Sequence, residues 1–239
     1  MRQHETFILK PMSSLVEEAV LSVSGMTSLI DCYPLCRYIK DALMLQLTGF
    51  QEQKLKCIMW EMATDDLEFR YKYILQKNLG ECSNISDKQD IFKHMIRQIR
   101  KKEVGYKLPE AIREGNVKSI KEFMKKMFDN TILKTGSERE FKDYLDLTNE
   151  LTNKSFGFDE QLLYGKIGGL DSVKFYKDYL YRQRNRLAHN TSSYQENLPS
   201  FDQLSNPYCK LRNYFLFYAY LMMMDGVFVE VFRKYIQIA

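Results

Sequence analysis

The residues from Arg182 to His189 carry the side chains that phosphodiester chemistry needs. This stretch reads RQRNRLAH and holds three arginines, one asparagine and one of the three histidines in a chain of 239 residues. A histidine titrates near neutral pH, so it can take a proton from a ribose 2′-hydroxyl or give one to a leaving oxygen. A guanidinium offers a planar fork of donors to a phosphate and stabilises the charge of the transition state. We therefore treat His189 and the arginines near it as candidates for this chemistry.

Helical spacing divides this region into two stripes. The core-facing stripe follows steps of three and four residues and consists of Val173, Tyr176, Leu180, Arg184 and Leu187. The polar stripe follows steps of three, one and three residues and consists of Arg182, Asn185, Arg186 and His189. Asn185 and His189 are four residues apart, so the amide can touch the imidazole and fix its tautomer.

Arg184 and His189 each have a structural role as an alternative. An arginine on an apolar stripe needs an anionic or hydrogen-bonding partner, which could be a phosphate or an internal carboxylate such as Asp178 or Glu160. A histidine at the end of a helix could instead cap the last carbonyl groups.

The string from Arg184 to His189 resembles the R-x4-6-H signature of the HEPN superfamily, including the polar residue after the arginine. The setting is similar too, because the motif comes late in a helical chain and precedes a loop and a long apolar final helix. The resemblance covers about residues 170–237. It implies that Arg184 binds the phosphate, Asn185 supports it and His189 is the general acid and base. Arg182 also fits, as an R-x6-H motif, so the leading arginine stays open between Arg182 and Arg184.

Further expectations follow from this resemblance. Many members of the superfamily are metal-independent endoribonucleases whose two motifs meet in a homodimer, and others are non-catalytic binding modules. We therefore expect RNA as the substrate, a homodimer, and a toxin or antiphage setting in which an antitoxin or defence-system partner acts. Candidate substrate-binding residues are Arg182, Arg186 and Tyr194.

Composition predicts an all-α helical bundle, with an HEPN-like C-terminal portion and additional N-terminal helices. Five prolines and few alternating β-branched runs argue against a sheet. We expect residues 151–239 to form the HEPN-like core, and residues 1–150 to form a helical region of unassigned role that belongs to the same domain or to another one.

No cofactor, metal or membrane role is expected from the sequence. The five cysteines are odd in number, no signal peptide is recognisable, and the expected location is cytoplasmic. Cys32 and Cys36 have no histidine at zinc-ligand spacing. The apolar run 214–224 is shorter than the ~20 residues of a membrane-spanning helix, so it predicts a core helix or an oligomer interface.

Residues 93–126 are locally basic, with eleven Lys and Arg against four Glu, a net charge of +7 by subtraction. This excess fits a surface that follows phosphates or an ordinary solvated helix face, and the two interpretations carry similar weight.

Caps and breakers divide the chain into predicted helices. A first helix is expected at 13–30, a second from Pro34 to Gly49, and a third over 50–77. Later helices are expected after a cap at Ser86–Asp87, after Pro109 with a break at Gly115–Asn116, up to about 153, and from a cap at Asp171 or Ser172. The final helix is expected at 208–237, after a loop.

Overall fold

A computed structural model describes residues 2–26, 29–74, 82–189 and 208–238. The N-terminal helices are α1 (Glu5–Leu9), α2 (Ser13–Leu21), α3 (Leu29–Asp65), α4 (Leu67–Ile74), α5 (Ile85–Lys102), α6 (Glu110–Phe128), α7 (Ile132–Thr135) and α8 (Glu138–Thr148). After two small hairpins follow α9 (Ser172–Phe175), a π-helical segment (Tyr176–Tyr181), α10 (Arg182–His189), a 3₁₀ turn (Cys209–Leu211) and α11 (Tyr214–Ile238). The all-α prediction is confirmed.

Helix α11 is the centre of the fold. It packs against α3, α5, α6 and α8, and 17 of its 25 residues are buried. By length and composition α11 could also cross a membrane, but 89% of its most apolar window is buried inside the protein. Core helices of soluble proteins meet the same criterion. One hydrophobic cluster combines residues from both sides of position 150, including Phe92, Phe128 and Phe228.

The predicted helix break near Gly49 is wrong, because α3 runs without interruption from Leu29 to Asp65. It passes through Pro34 and Gly49, both of which signal a helix end in isolation. The Thr48 hydroxyl donates to the carbonyl oxygens of Met44 and Leu45 instead of ending the helix. Packing of α3 along α11 outweighs these local preferences.

Several other boundaries differ from the prediction. Helix α2 ends at Leu21, α8 ends at Thr148, and α6 continues through Gly115–Asn116. The cap of α5 is Asn84, whose side chain accepts from the backbone N–H of Asp87. The loop predicted after His189 lies outside the described residues.

Two short antiparallel hairpins occupy a stretch predicted to be irregular. The first pairs β1 (Phe156–Phe158) with β2 (Gln161–Leu163), and the second pairs β3 (Lys166–Ile167) with β4 (Leu170–Asp171). They are too short for a periodic sequence signal, and the second ends directly at the cap of α9.

Candidate functional site

The predicted cap of the motif helix is confirmed at Asp171. Its carboxylate accepts hydrogen bonds from the backbone N–H groups of Val173 and Lys174, each at 3.0 Å. The helix then passes through the π-helical segment before it reaches α10. There Tyr176 and Tyr181, five residues apart, stack with ring centroids 6.4 Å apart. Such π-helical turns occur often at functional sites.

Arg184 points inward and pairs with a carboxylate of α3. Its Nη2 lies 3.3 Å from Oε1 and 3.2 Å from Oε2 of Glu52, and its Nη1 donates to Oδ1 of Asn185 at 3.1 Å. The Arg184 and Glu52 side chains are only 17% and 12% exposed. The partner is thus an internal carboxylate, as in the alternative interpretation, but it is Glu52 rather than Glu160, which pairs with Arg100. The guanidinium is thus held in one place, at the margin of the core.

A fully buried lysine lies behind Glu52. The Lys88 ammonium donates to Oε1 of Gln51 at 2.9 Å, and the Gln51 amide donates to the Leu221 carbonyl. Burial lowers the pKa of Lys88 to about 8, and the nearby Glu52 carboxylate opposes that shift. Glu52 therefore sits between two cations, Lys88 on the inside and Arg184 toward the surface.

The outer face of α10 presents the polar stripe. Arg182 and His189 are exposed, whereas Asn185 and Arg186 are half-buried. Arg182 and His189 are seven positions apart, so two helical turns place them on the same face about 10 Å apart along the axis. Arg182 makes no ion pair within the described part of the chain. Tyr194 lies outside that part.

A second contact fixes α10 against the core. The Gln183 amide donates to the Tyr214 hydroxyl at 2.9 Å, and that hydroxyl donates to the Asp41 carboxylate. Burial and the Asp41 hydrogen bond raise the pKa of Tyr214 far above its ordinary value. The motif helix is therefore attached to both α3 and α11.

Many cations of the basic stretch 93–126 already have partners in the fold, several of them at the surface. Six of its eleven cations bind other described groups: Arg100, Lys101, Lys102, Lys107, Arg113 and Lys121. The exposed cations of α6 are Lys118, Lys125 and Lys126. A continuous phosphate-binding surface in this stretch would have to be formed mainly by the remaining, smaller number of cations.

Metal ligands and other histidines do not converge on the site. In the described ranges, no three His, Cys, Asp or Glu side chains are grouped so that they could hold a metal ion. His4 contacts Glu61, and His94 packs against Phe69 with ring centroids 5.6 Å apart.

Sequence reasoning missed Glu52 and Lys88. They lie 132 and 96 positions before Arg184 by subtraction, on two other helices. The available signal was that α3 places the polar residues Gln51, Glu52 and Lys54 together along a helix that otherwise carries a core stripe.

Comparison of the chain with protein-family models, with curated proteins and with solved structures finds no match. The function is therefore inferred from the residues of the site itself.

Proposed function

We propose that this protein is a metal-independent endoribonuclease that acts as a homodimer. In this reaction the ribose 2′-hydroxyl attacks the adjacent phosphorus and the bond to the 5′-oxygen breaks. The products carry 2′,3′-cyclic phosphate and 5′-hydroxyl ends. By the HEPN-like motif, the setting is a toxin or antiphage response in the cytoplasm.

One observation carries the proposal: α10 exposes His189 and Arg182 on one face while Glu52 and Asn185 hold Arg184 at its edge. In the proposed mechanism His189 moves the proton, and Arg182 binds the scissile phosphate. Arg184 adds positive charge from a fixed position, which costs no reorganisation during the reaction. Pairing two copies through their α10 helices supplies the second histidine that acid–base cleavage needs.

The test is incubation of the purified protein with total RNA, with EDTA in one arm and Mg²⁺ in the other, followed by end-group analysis. We expect fragments with cyclic phosphate ends in both arms. His189→Ala should lower the rate by about 10²–10⁴-fold, the usual contribution of a general acid or base. Lys118→Ala, which removes an exposed cation of α6, is the control and should cleave normally.

The second candidate is a non-catalytic module that binds nucleic acid, a nucleotide or a partner protein. The Glu52–Arg184 ion pair favours it, because the guanidinium already has an anionic partner. Wild-type protein that binds RNA and leaves it intact in both arms would support this alternative and reject the nuclease.

A further inference from the structure

A cleft of about 860 Å³ opens beside the N-terminal half of α3. We call it the basic cleft, and its lining includes Tyr33, Lys40, Arg139, Glu140, Lys210 and Arg212. It lies where the N-terminal half of α3 meets α7, α8 and the start of α11. Its volume falls in the range of about 300–1,000 Å³ that is usual for ligand sites.

Much of the positive charge in this cleft has no partner in the described structure. Arg139 and Lys210 are exposed, Arg212 is half-buried, and none of them forms an ion pair with another described residue. The two side chains that do pair are Lys40 and Glu140, at 3.2 Å. Like charges held together without partners repel one another, so an anion that enters the cleft is favoured.

The carboxylates of the cleft do not cancel this charge. Glu140 is already occupied, since its Oε1 accepts from the backbone N–H of Tyr214 at 2.6 Å. Glu138 and Asp143 also line the cleft. The cleft therefore contains two remaining carboxylates and three unpaired cations, which leaves an excess of positive charge. Arg37, which is exposed one turn before Lys40 on α3, adds a further cation nearby.

Tyr214 connects the basic cleft to the motif helix. Its hydroxyl accepts from Gln183, which lies next to Arg182 and Arg184. Its ring carries the Lys40 ammonium 5.4 Å from the centroid. Arg212 also lies close enough to the Tyr179 hydroxyl to influence its pKa, three residues before Arg182. A chain bound in the cleft would therefore continue onto α10.

Aromatic rings border the same path. Tyr33 is 59% exposed at the cleft. Tyr179 is half-buried and stacks on Phe175 with centroids 6.2 Å apart and an angle of 17° between the rings. Proteins that bind single strands combine a basic groove with aromatic side chains on which bases stack.

From these observations we infer that the basic cleft binds the single-stranded RNA segment that flanks the phosphodiester at His189. The inference rests on the proposed function, which places the cleaved bond at His189. It extends that proposal by naming single-stranded RNA as the substrate. Arg139, Lys210 and Arg212 contact its phosphates, and Tyr33 stacks with a base.

The test measures binding of a fluorescent single strand of about twelve 2′-O-methyl nucleotides, a length within usual site sizes. The methyl group removes the attacking hydroxyl, so binding is measured without cleavage. The variant Arg139→Ala/Lys210→Ala/Arg212→Ala is compared with Lys118→Ala/Lys125→Ala/Lys126→Ala, which loses the same charge from α6. The double variant Arg139→Ala/Lys210→Ala changes exposed residues alone, so it keeps the test valid if the loss of Arg212 disturbs folding.

We expect the cleft triple variant to raise Kd by about tenfold or more and to reduce the salt slope of binding by about two. The α6 control should change Kd by less than about threefold. Equal loss in both triple variants, or no binding by the wild-type protein, would overturn the inference. Competition by a nucleoside monophosphate at the same concentration as an unlabelled strand would also overturn the inference, because the cleft would then be a nucleotide site. Cleavage is assayed separately on all-ribose RNA, so failure of the nuclease proposal and failure of the cleft inference give different results.

Discussion

Arg182 and Arg184 differ in their contacts, although both fit a motif spacing. Arg184 fits the R-x4-H spacing, but its guanidinium is bound to Glu52 and Asn185. Arg182 fits the R-x6-H spacing and is exposed on the face of His189. The geometry favours a scheme in which Arg182 binds the phosphate and Arg184 is the fixed cation beside it.

Replacing Glu52 by Gln tests whether the ion pair positions Arg184. The change removes the negative charge between Arg184 and Lys88, so the guanidinium is free to leave its place and to be repelled by the buried ammonium. We expect kcat for RNA cleavage to fall by about 10- to 100-fold, with KM changed less, because misplacement affects the transition state most. Unfolding should become easier by about 1–3 kcal/mol.

Glu61→Gln is the matched control for that substitution. Glu61 lies on the same helix, is also buried, and binds Arg2 and His4 rather than the motif. The Glu61→Gln variant should lose a similar amount of stability and, when folded, should cleave RNA at the wild-type rate. If both variants lose activity in proportion to stability alone, Glu52 has only a structural role.

At the scale of elements, tertiary packing decides where helices end. The local signals at Asp171 and Pro109 predicted helix starts correctly, because both act on neighbouring backbone groups: the Asp171 side chain caps two N–H groups, and Pro109 has a fixed φ and lacks an N–H that would need a partner. The signals at Pro34 and Gly49 predicted a helix start and a helix end that do not occur, because α3 gains more from lying along α11 than it loses at two unfavourable residues.

Two glycine substitutions test this view of α3 and α11. At Gly49 an added methyl group meets nothing within 4 Å, so Gly49→Ala should stabilise the protein by about 0.5–1 kcal/mol through helix propensity. At Gly226 the methyl group would lie 2.1 Å from Oδ1 of Asn116, whose amide donates to the Met223 carbonyl. Gly226→Ala should therefore destabilise by about 1–3 kcal/mol.

Chemical denaturation of the two variants measures both effects. The two substitutions should change the free energy of unfolding in opposite directions, whereas helix propensity alone would stabilise both variants. Stabilisation of both variants would contradict the close approach of α6 to α11.

At the scale of the whole molecule, a buried ion pair ties α3 to α11. The Lys54 ammonium lies 2.8 Å from Oδ2 of Asp225, and both side chains are almost fully buried. Burial lowers the pKa of Lys54 and raises that of Asp225, while the mutual attraction opposes both shifts. Removing one partner leaves a buried charge without compensation.

We expect Lys54→Met and Asp225→Leu each to cost about 3–5 kcal/mol of unfolding free energy. The double variant should cost less than either single variant, because no unpaired charge remains. A double-mutant cycle from denaturant titrations gives the coupling, and additive losses would show that the pair does not interact in the folded protein.

His94 predicts how stability depends on pH. Burial, with the nearby Arg97 as a smaller cause, lowers the pKa of His94 to about 4 from an ordinary value of 6.5. The unfolded chain therefore binds more protons than the folded one between these values, and stability falls as pH falls from about 6.5 toward 4. His94→Gln should flatten this part of the stability–pH curve.

Denaturant titrations of the wild-type protein and of His94→Gln between about pH 4 and 7 measure this slope. An unchanged slope in His94→Gln would show that His94 does not keep a low pKa in the folded state.

The sequence alone predicted the helical class, the cap at Asp171 and the polar face of α10, because each depends on neighbouring residues. It did not predict Glu52 as the partner of Arg184, because that contact depends on how α3 crosses α10. The sequence also did not predict the basic cleft, because Arg139, Lys210 and Arg212 come together only when α8 meets the segment that leads into α11.

The central claim is that His189 and the arginines beside it cleave RNA through the 2′-hydroxyl. The most direct measurement compares a defined single-stranded RNA with the same strand carrying 2′-deoxyribose at the nucleotide before the cleaved bond, with EDTA present. We expect cyclic phosphate ends from the all-ribose strand, and no cleavage of the substituted strand or by His189→Ala. Cleavage of both strands, or equal rates for wild type and His189→Ala, would contradict it.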